Sequence, residues 1–378
     1  MGNPASDPDA FATMGLMTDG SNLPLIFING FGQVISDSKI AARFEIIHNN
    51  QLDATNNPAS NQLNRIPAQL TSDDFDRSYL TEIATRPDGD AGVSKPGYDF
   101  EPKVPTTITI TATAGPDNTT LCSSMVFQFY DNGEREIETK ISKVEEADEA
   151  VLGMPEEDDW VMHGPLADKT LMRNVLAHYL MGQISNRYAP KTRWAEVFLT
   201  STDDGFPGVY NYQGVYVFTE EMEVDSNRIN IGKPPKGKRD RNTLGFGYLF
   251  EVDNTYASVK SNFTSIGQNS TVYFDYIDPT YYEVEHEFGL GNYARQIIGD
   301  FETVLSRLRK DDPLSVLESQ MDVDSFVDFF LITELAKNQD GYRRNTFFYK
   351  DAANNQGKFT MGPVTSYGRA FGNADSCG

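Results

Sequence analysis

Residues 326–351 read FVDFFLITELAKNQDGYRRNTFFYKD. The segment DSFVDFFLITELAKN, Asp324 to Asn338, has the composition of a helix, with Asp324 placed as its cap. NTFFYKD, Asn345 to Asp351, reads as a strand that closes a hairpin with KFTMGPV, Lys358 to Val364. Between them Asp340 and Asn345 stand five residues apart. Asp-x4-Asn is the spacing at which kinase-like phosphotransferases hold a catalytic base and a metal ligand. The same letters also describe an acidic turn between a helix and a strand. The flanking elements have to decide which.

Outward from this stretch the chain alternates strands and helices. LPLIFING (Leu23–Gly30) and ARFEIIH (Ala42–His48) read as the first two strands, followed by a long loop or insertion over 49–100, rich in Asn, Asp, Pro and Ser. TTITITATA (Thr106–Ala114) alternates strictly, with MVFQFYD (Met125–Asp131) as hairpin partner. The charged run EREIETKISKVEEADEAV (Glu134–Val151) fits a solvated strand or a helix face. LMRNVLAHYLMGQI (Leu171–Ile184) has Leu171, Val175 and Tyr179, or Leu176, Leu180 and Ile184, at helical spacing behind an Asp168 cap. TRWAEVFLT, YQGVYVFTE and GYLFEVD read as strands, and YARQIIGDFETVLSRL as a helix. The order defines an α+β chain with a β-rich front half.

Composition excludes several classes. The 378 residues carry a net charge of −23, which opposes binding to phosphate backbones, so nucleic acid is not an expected partner. No run of about 18 apolar residues is present, so no membrane span is expected. Cys122 and Cys377 are too few for a disulfide framework, and four scattered histidines show no zinc spacing. Asn118, Asn262 and Asn269 open glycosylation sequons, consistent with an extracellular or cell-surface location, and the opening MGNPAS fits a loose myristoylation pattern.

LGMPEEDDWVMHGPLADKTLMRNVLAHYL, YAPKTRWAEVFL, YQGVYVFTEEMEVDSNRINI, GYLFEVD, FVDFFLITELAKNQDGYRRNTFFYKD and GPVTSYGRAFGNAD follow one another in that order. Together they resemble the CotH kinase family, from about Leu23 to the C-terminus. The resemblance implies a two-lobed, atypical kinase-like fold. A tail would occupy 1–20, a β-rich N-terminal lobe 21–200 with the variable insertion 49–100, and the rest of the kinase core and a helical C-terminal lobe 201–378. The terminal helices usual in the family would be absent or supplied by a partner. The resemblance also implies ATP with Mg2+, a protein partner or protein substrate, and often secretion; a homo-oligomer or larger assembly fits such a role. It puts Asp340 at the catalytic-loop aspartate and Asn345 at a metal-ligand position. Lys169, Arg173 and Glu220 would then serve the nucleotide, with Lys169 and Arg173 four apart on one helix face; the plainer reading is a salt-bridged helix start.

Two departures set this chain apart from the pattern the resemblance implies. Where the family carries the metal-binding aspartate, after GPV, this chain has Ser366. A hydroxyl cannot neutralise a metal–phosphate complex as a carboxylate does. The stretch corresponding to the family's phosphate loop and lysine, Thr113–Met125, holds no Lys or Arg and contributes Asp117. The expectation is therefore a pseudokinase that keeps the fold in a structural or interaction role. The alternative is an active protein Ser/Thr kinase with a rewired site using Asp375 or Glu220. PEEDDW (Pro155–Trp160) and DVDSFVD (Asp322–Asp328) lack the Gly and distal Glu of a calcium loop and read as capping and solvated segments.

Overall fold

The computed structural model describes residues 21–32, 40–48, 77–85, 135–142, 145–146, 149–164, 168, 170–200, 211–233, 246–252, 263–267, 270–280, 283–284, 291–308, 314–352 and 357–373. The chain divides into two compact units. One comprises 1–171, 191–221 and 375–378; the other comprises 172–190 and 222–374.

The first unit is built on one eight-stranded sheet. Its strands are β1 (Leu25–Asn29), β2 (Ile40–Ile47), β3 (Arg77–Thr85), β4 (Arg135–Ser142), β5 (Glu145–Glu146), β6 (Asp159–His163), β7 (Thr192–Thr200) and β8 (Asn211–Glu220). They lie in the order β3-β2-β1-β7-β8-β6-β4-β5, and β3 also pairs with β4. That extra pairing closes the seven longer strands into a ring and leaves two-residue β5 outside it, on β4. All pairings are antiparallel except β1 with β7. Alternation sends one set of side chains inward: Ile26, Ile28, Phe44, Ile46, Trp160, Met162, Val197, Tyr216 and Phe218 form one buried cluster. Trp160 is fully buried, stacked 5.2 Å from Phe218, and its indole N–H donates to the Glu157 carbonyl at 3.2 Å. Burial of a side chain of this size stabilises by roughly 3 kcal/mol.

The second unit carries a five-stranded sheet in the order β10-β11-β9-β12-β13. Its strands are β9 (Tyr248–Val252), β10 (Phe263–Gly267), β11 (Ser270–Asp278), β12 (Thr346–Lys350) and β13 (Phe359–Met361). Its helices are α1 (Arg173–Ile184), α2 (Gly291–Leu308), α3 (Leu314–Glu318) and α4 (Val323–Ala336). α2 sets Ile297 and Ile298 into an aromatic core of Tyr248, Phe250, Phe274, Phe348 and Phe359. α1 and α4 share a second cluster, Ala177 and Met181 against Phe329, Ile332 and Ala336, completed by Val364, Tyr367 and Ala370.

The fold is mixed α+β as expected, and the second unit carries a five-stranded sheet beside its helices. The predicted hairpin is β12–β13, and the charged run after Glu134 resolves as strand β4 over Arg135–Ser142. Several expectations are corrected. Residues 77–85, inside the expected loop, form β3 between β2 and β4. Asp159 and Trp160 of PEEDDW open β6 rather than cap a helix. Asp168 does not cap α1, whose N-cap is Met172; its carboxylate accepts from Thr170 N–H and Oγ1 at 3.0 and 2.6 Å. The cap of α4 is Asp322, which accepts from Ser325 N–H, while Asp324 lies in the first turn. α1 buries Ala177, His178 and Met181, leaving Tyr179, Leu176 and Ile184 exposed. The expected strands at 106–114 and 125–131, the three sequon asparagines and both cysteines lie outside the described residues.

Candidate functional site

The segment between α4 and β12 is fixed from both ends. Lys337 ends the helix in a left-handed conformation, φ 51°. Asn338 follows, its N–H bound to the Thr333 carbonyl at 3.1 Å. Its side chain is a local organiser: Oδ1 accepts from the Asp340 N–H at 3.2 Å, and Nδ2 donates to the Ser366 carbonyl at 3.5 Å. Gly341 is required by space: a Cβ there would sit 2.5 Å from Thr333 Cγ2 and 3.1 Å from the Asn338 carbonyl. Tyr342 and Asn345 both take positive φ, 71° and 44°, as does Ser366, 40°. With Lys337, four non-glycine residues in that region within two short segments mark backbone strain held by its surroundings.

These contacts bring Asp340, Asn345 and Ser366 into one neighbourhood of the second unit. Thr365 Oγ1 donates to the Asn345 carbonyl at 3.1 Å, tying the Ser366 segment to the start of β12. The Asp340 carboxylate, largely buried, lies 3.7 Å from both the Arg343 and the Arg344 guanidinium. Its charge is thus met by two cations of its own turn. The Tyr367 N–H donates to Asn174 Oδ1, which anchors the Ser366 segment to α1. The Tyr367 hydroxyl pairs with Thr333 Oγ1 at 2.9 Å. Burial pushes that phenol up to about 12, against the downward pull of its bonds to Thr333 and Asn338. The Tyr342 phenol, on a side chain that stays largely exposed, is raised to about 12 by the partial desolvation of its hydroxyl and by that hydroxyl's bond to the Glu334 carboxylate at 3.0 Å.

The remaining sequence candidates are placed as follows. Arg173 opens α1 in the second unit, half-buried. Glu220 belongs to the first unit, where it is buried at the end of β8 and accepts from the Lys191 N–H at 2.8 Å. Arg193, also in that unit, is lowered by burial, with Glu220 pulling the other way. Lys169, Asp375 and the Thr113–Met125 stretch lie outside the described residues. Sequence reasoning missed Asn338, Arg343 and Arg344. The two arginines were legible, standing three and four residues after Asp340, the separation at which a turn brings opposite charges together. Asn338 gave no signal of its own.

A mixed α+β chain with a helix–turn–strand of this kind now meets its family. The model for the CotH kinase protein family matches residues 134–366, well over half of the chain, and the chain belongs to that family. The match takes in Asp340 and Asn345 and ends at Ser366, while Thr113–Met125 falls outside it. No curated protein matches the chain.

Proposed function

We propose that this chain is a CotH-type pseudokinase. It would keep a two-lobed kinase-like fold and act, secreted or on a cell surface, through protein partners rather than phosphoryl transfer. One observation carries the reading. The Asp340, Asn345 and Ser366 segments are bonded into one neighbourhood, and Ser366 stands where the family resemblance puts the metal carboxylate. Among the described residues, a divalent ion in this neighbourhood would meet a carboxylate already facing two guanidiniums, an amide and a neutral hydroxyl. That donor set does not fit a magnesium–nucleotide complex, which needs acidic oxygen ligands to balance the phosphates. With Arg343 and Arg344 beside it, Asp340 also supports a structural role better than that of a free base.

The test is thermal unfolding of the full chain with ATP and Mg2+. A ligand at about a hundred times Kd adds roughly 2.7 kcal/mol of stability. At roughly 2–4 °C per kcal/mol for units of 150–250 residues, that is a readily measured shift. The expected result is no saturable shift at millimolar ATP. A saturable shift that needs Mg2+ and disappears in Asp340→Asn would overturn the reading.

A further inference from the structure

α4 buries Ser325, Phe329, Ile332, Thr333 and Ala336. On another face, Val327, Phe330, Leu331 and Leu335 recur at i, i+3, i+4 and i+8, each between 48% and 63% exposed. This is the spacing of a helix stripe that normally faces a core, turned here to solvent. The apolar surface continues beyond both ends of the stripe. The Phe330 ring lies 6.5 Å from that of Tyr342, itself an exposed side chain. At the other end Val327 lines an open cleft together with exposed Ile184 of α1. Six large side chains, each contributing on the order of 100 Å², make roughly 600 Å². That stands at the upper end of patches found on monomers and approaches the ~800 Å² each partner gives to a standard interface.

Charge distinguishes the two ends. Asp322, Asp324 and Asp328 cluster at the start of α4. Arg187 holds Asp322 and Asp328, with contacts of 2.7 and 2.9 Å, and Asp324 is exposed beside them in the same cleft. Lys337 and Arg343, both exposed, stand at the far end. Positions 324 and 337 are equidistant from the point between Phe330 and Leu331. Glu334 lies between the ends and is engaged by the Tyr342 hydroxyl. A surface that complements this stripe is apolar in its middle, basic opposite Asp324 and acidic opposite Lys337. The same stripe turned end for end has that pattern, and opposed helix dipoles favour it too.

We propose that the exposed face of α4, extended by Tyr342 and Ile184, is the contact surface between two copies of this chain, related by a two-fold axis near Phe330 and Leu331. Such an interface is isologous: each copy presents the same patch, and the acidic end of one meets the basic end of the other. It involves the outer side of the Asp340 turn, since Tyr342 and Arg343 belong to that turn.

The experiment is sedimentation velocity of the full chain from about 1 to 200 µM, a range that brackets micromolar association. The wild type should form a dimer with rising concentration. Leu331→Glu, at an exposed position, should raise the dimer Kd at least tenfold while circular dichroism and unfolding temperature, compared at a concentration where both proteins are monomeric, stay unchanged. Asp324→Lys and Lys337→Glu should each weaken the dimer several-fold, and the double variant should recover it, because both singles create like-charge contacts that the double removes. A monomer at the highest concentration overturns the proposal and leaves the face to a different protein. A dimer indifferent to Leu331→Glu, or charge variants without mutual rescue, rejects this surface or its two-fold arrangement.

Discussion

Replacing Gly341 by alanine tests whether the turn that carries Asp340 is packed as described. The added methyl would lie 2.5 Å from Thr333 Cγ2, well inside van der Waals contact. Thr333 is 2% exposed and its hydroxyl is paired with Tyr367, so turning the side chain aside would break a buried hydrogen bond. The Asn338 carbonyl, 3.1 Å from the same methyl, closes the other side. Overpacking of this kind costs about 1–3 kcal/mol. Gly341→Ala should therefore lower the urea midpoint without changing the m-value. Thr333→Ser removes the opposing methyl and keeps the hydroxyl. In the double variant the two changes should couple favourably by about 1 kcal/mol or more. Destabilisation that simply adds, or a Gly341→Ala protein as stable as wild type, would refute the packing argument.

Three further outcomes are expected. Ser366→Asp supplies a carboxylate beside Asn345 and should raise Mn2+ or Mg2+ affinity measurably by calorimetry, without bringing phosphotransfer with it. Tyr367→Phe removes the partner of a buried threonine hydroxyl and should cost about 1–3 kcal/mol in chemical denaturation, whereas a change within a few tenths would show that bond to be dispensable. Asp278 is raised to about 6 by burial, with Glu283 adding to the effect and Lys233 and the Val224 N–H opposing it. The folded state thus holds this proton more tightly than the unfolded state, so stability is greatest below the unfolded value near 4 and falls as pH rises toward 6. Asp278→Asn should match wild type near pH 4 and exceed it by on the order of 2 kcal/mol at pH 7. Equal stability of the two at both pH values would contradict that reading.

The strands and helices that were legible in the sequence are those whose apolar runs or repeats are not masked by a run of charge. β2, β7, β8, β9 and α2 were read near their observed places from apolar patterning, β1 from an unbroken apolar run that stops at Asn29-Gly30 and is buried throughout, and α4 from its helix-forming composition. β6 was hidden because its first residue ends an acidic run, and acidity was read as solvation. The strand is held by Trp160, Val161 and Met162, which are buried behind that run. β3 lay inside a polar region and was recognisable only once β2 and β4 were paired on either side of it. The face of α1 was misread because a small and a flexible residue, Ala177 and Met181, fill the narrow gap against α4, while the larger Leu176 and Tyr179 do not. At the candidate site the Asp340–Asn345 spacing was visible from the letters. The Asn338 bridge to Ser366, from 28 residues away, was not, since nothing local encodes a long-range contact.

A CotH-family chain that has given up phosphoryl transfer should show no kinase activity under any metal condition. The direct measurement is incubation of the full chain with γ-labelled ATP, Mg2+ and Mn2+, alone and with a mixed protein acceptor, beside Asp340→Asn. No label above background is expected in either protein, and the two traces should be identical. Label transferred by the wild type and lost in Asp340→Asn would contradict that expectation.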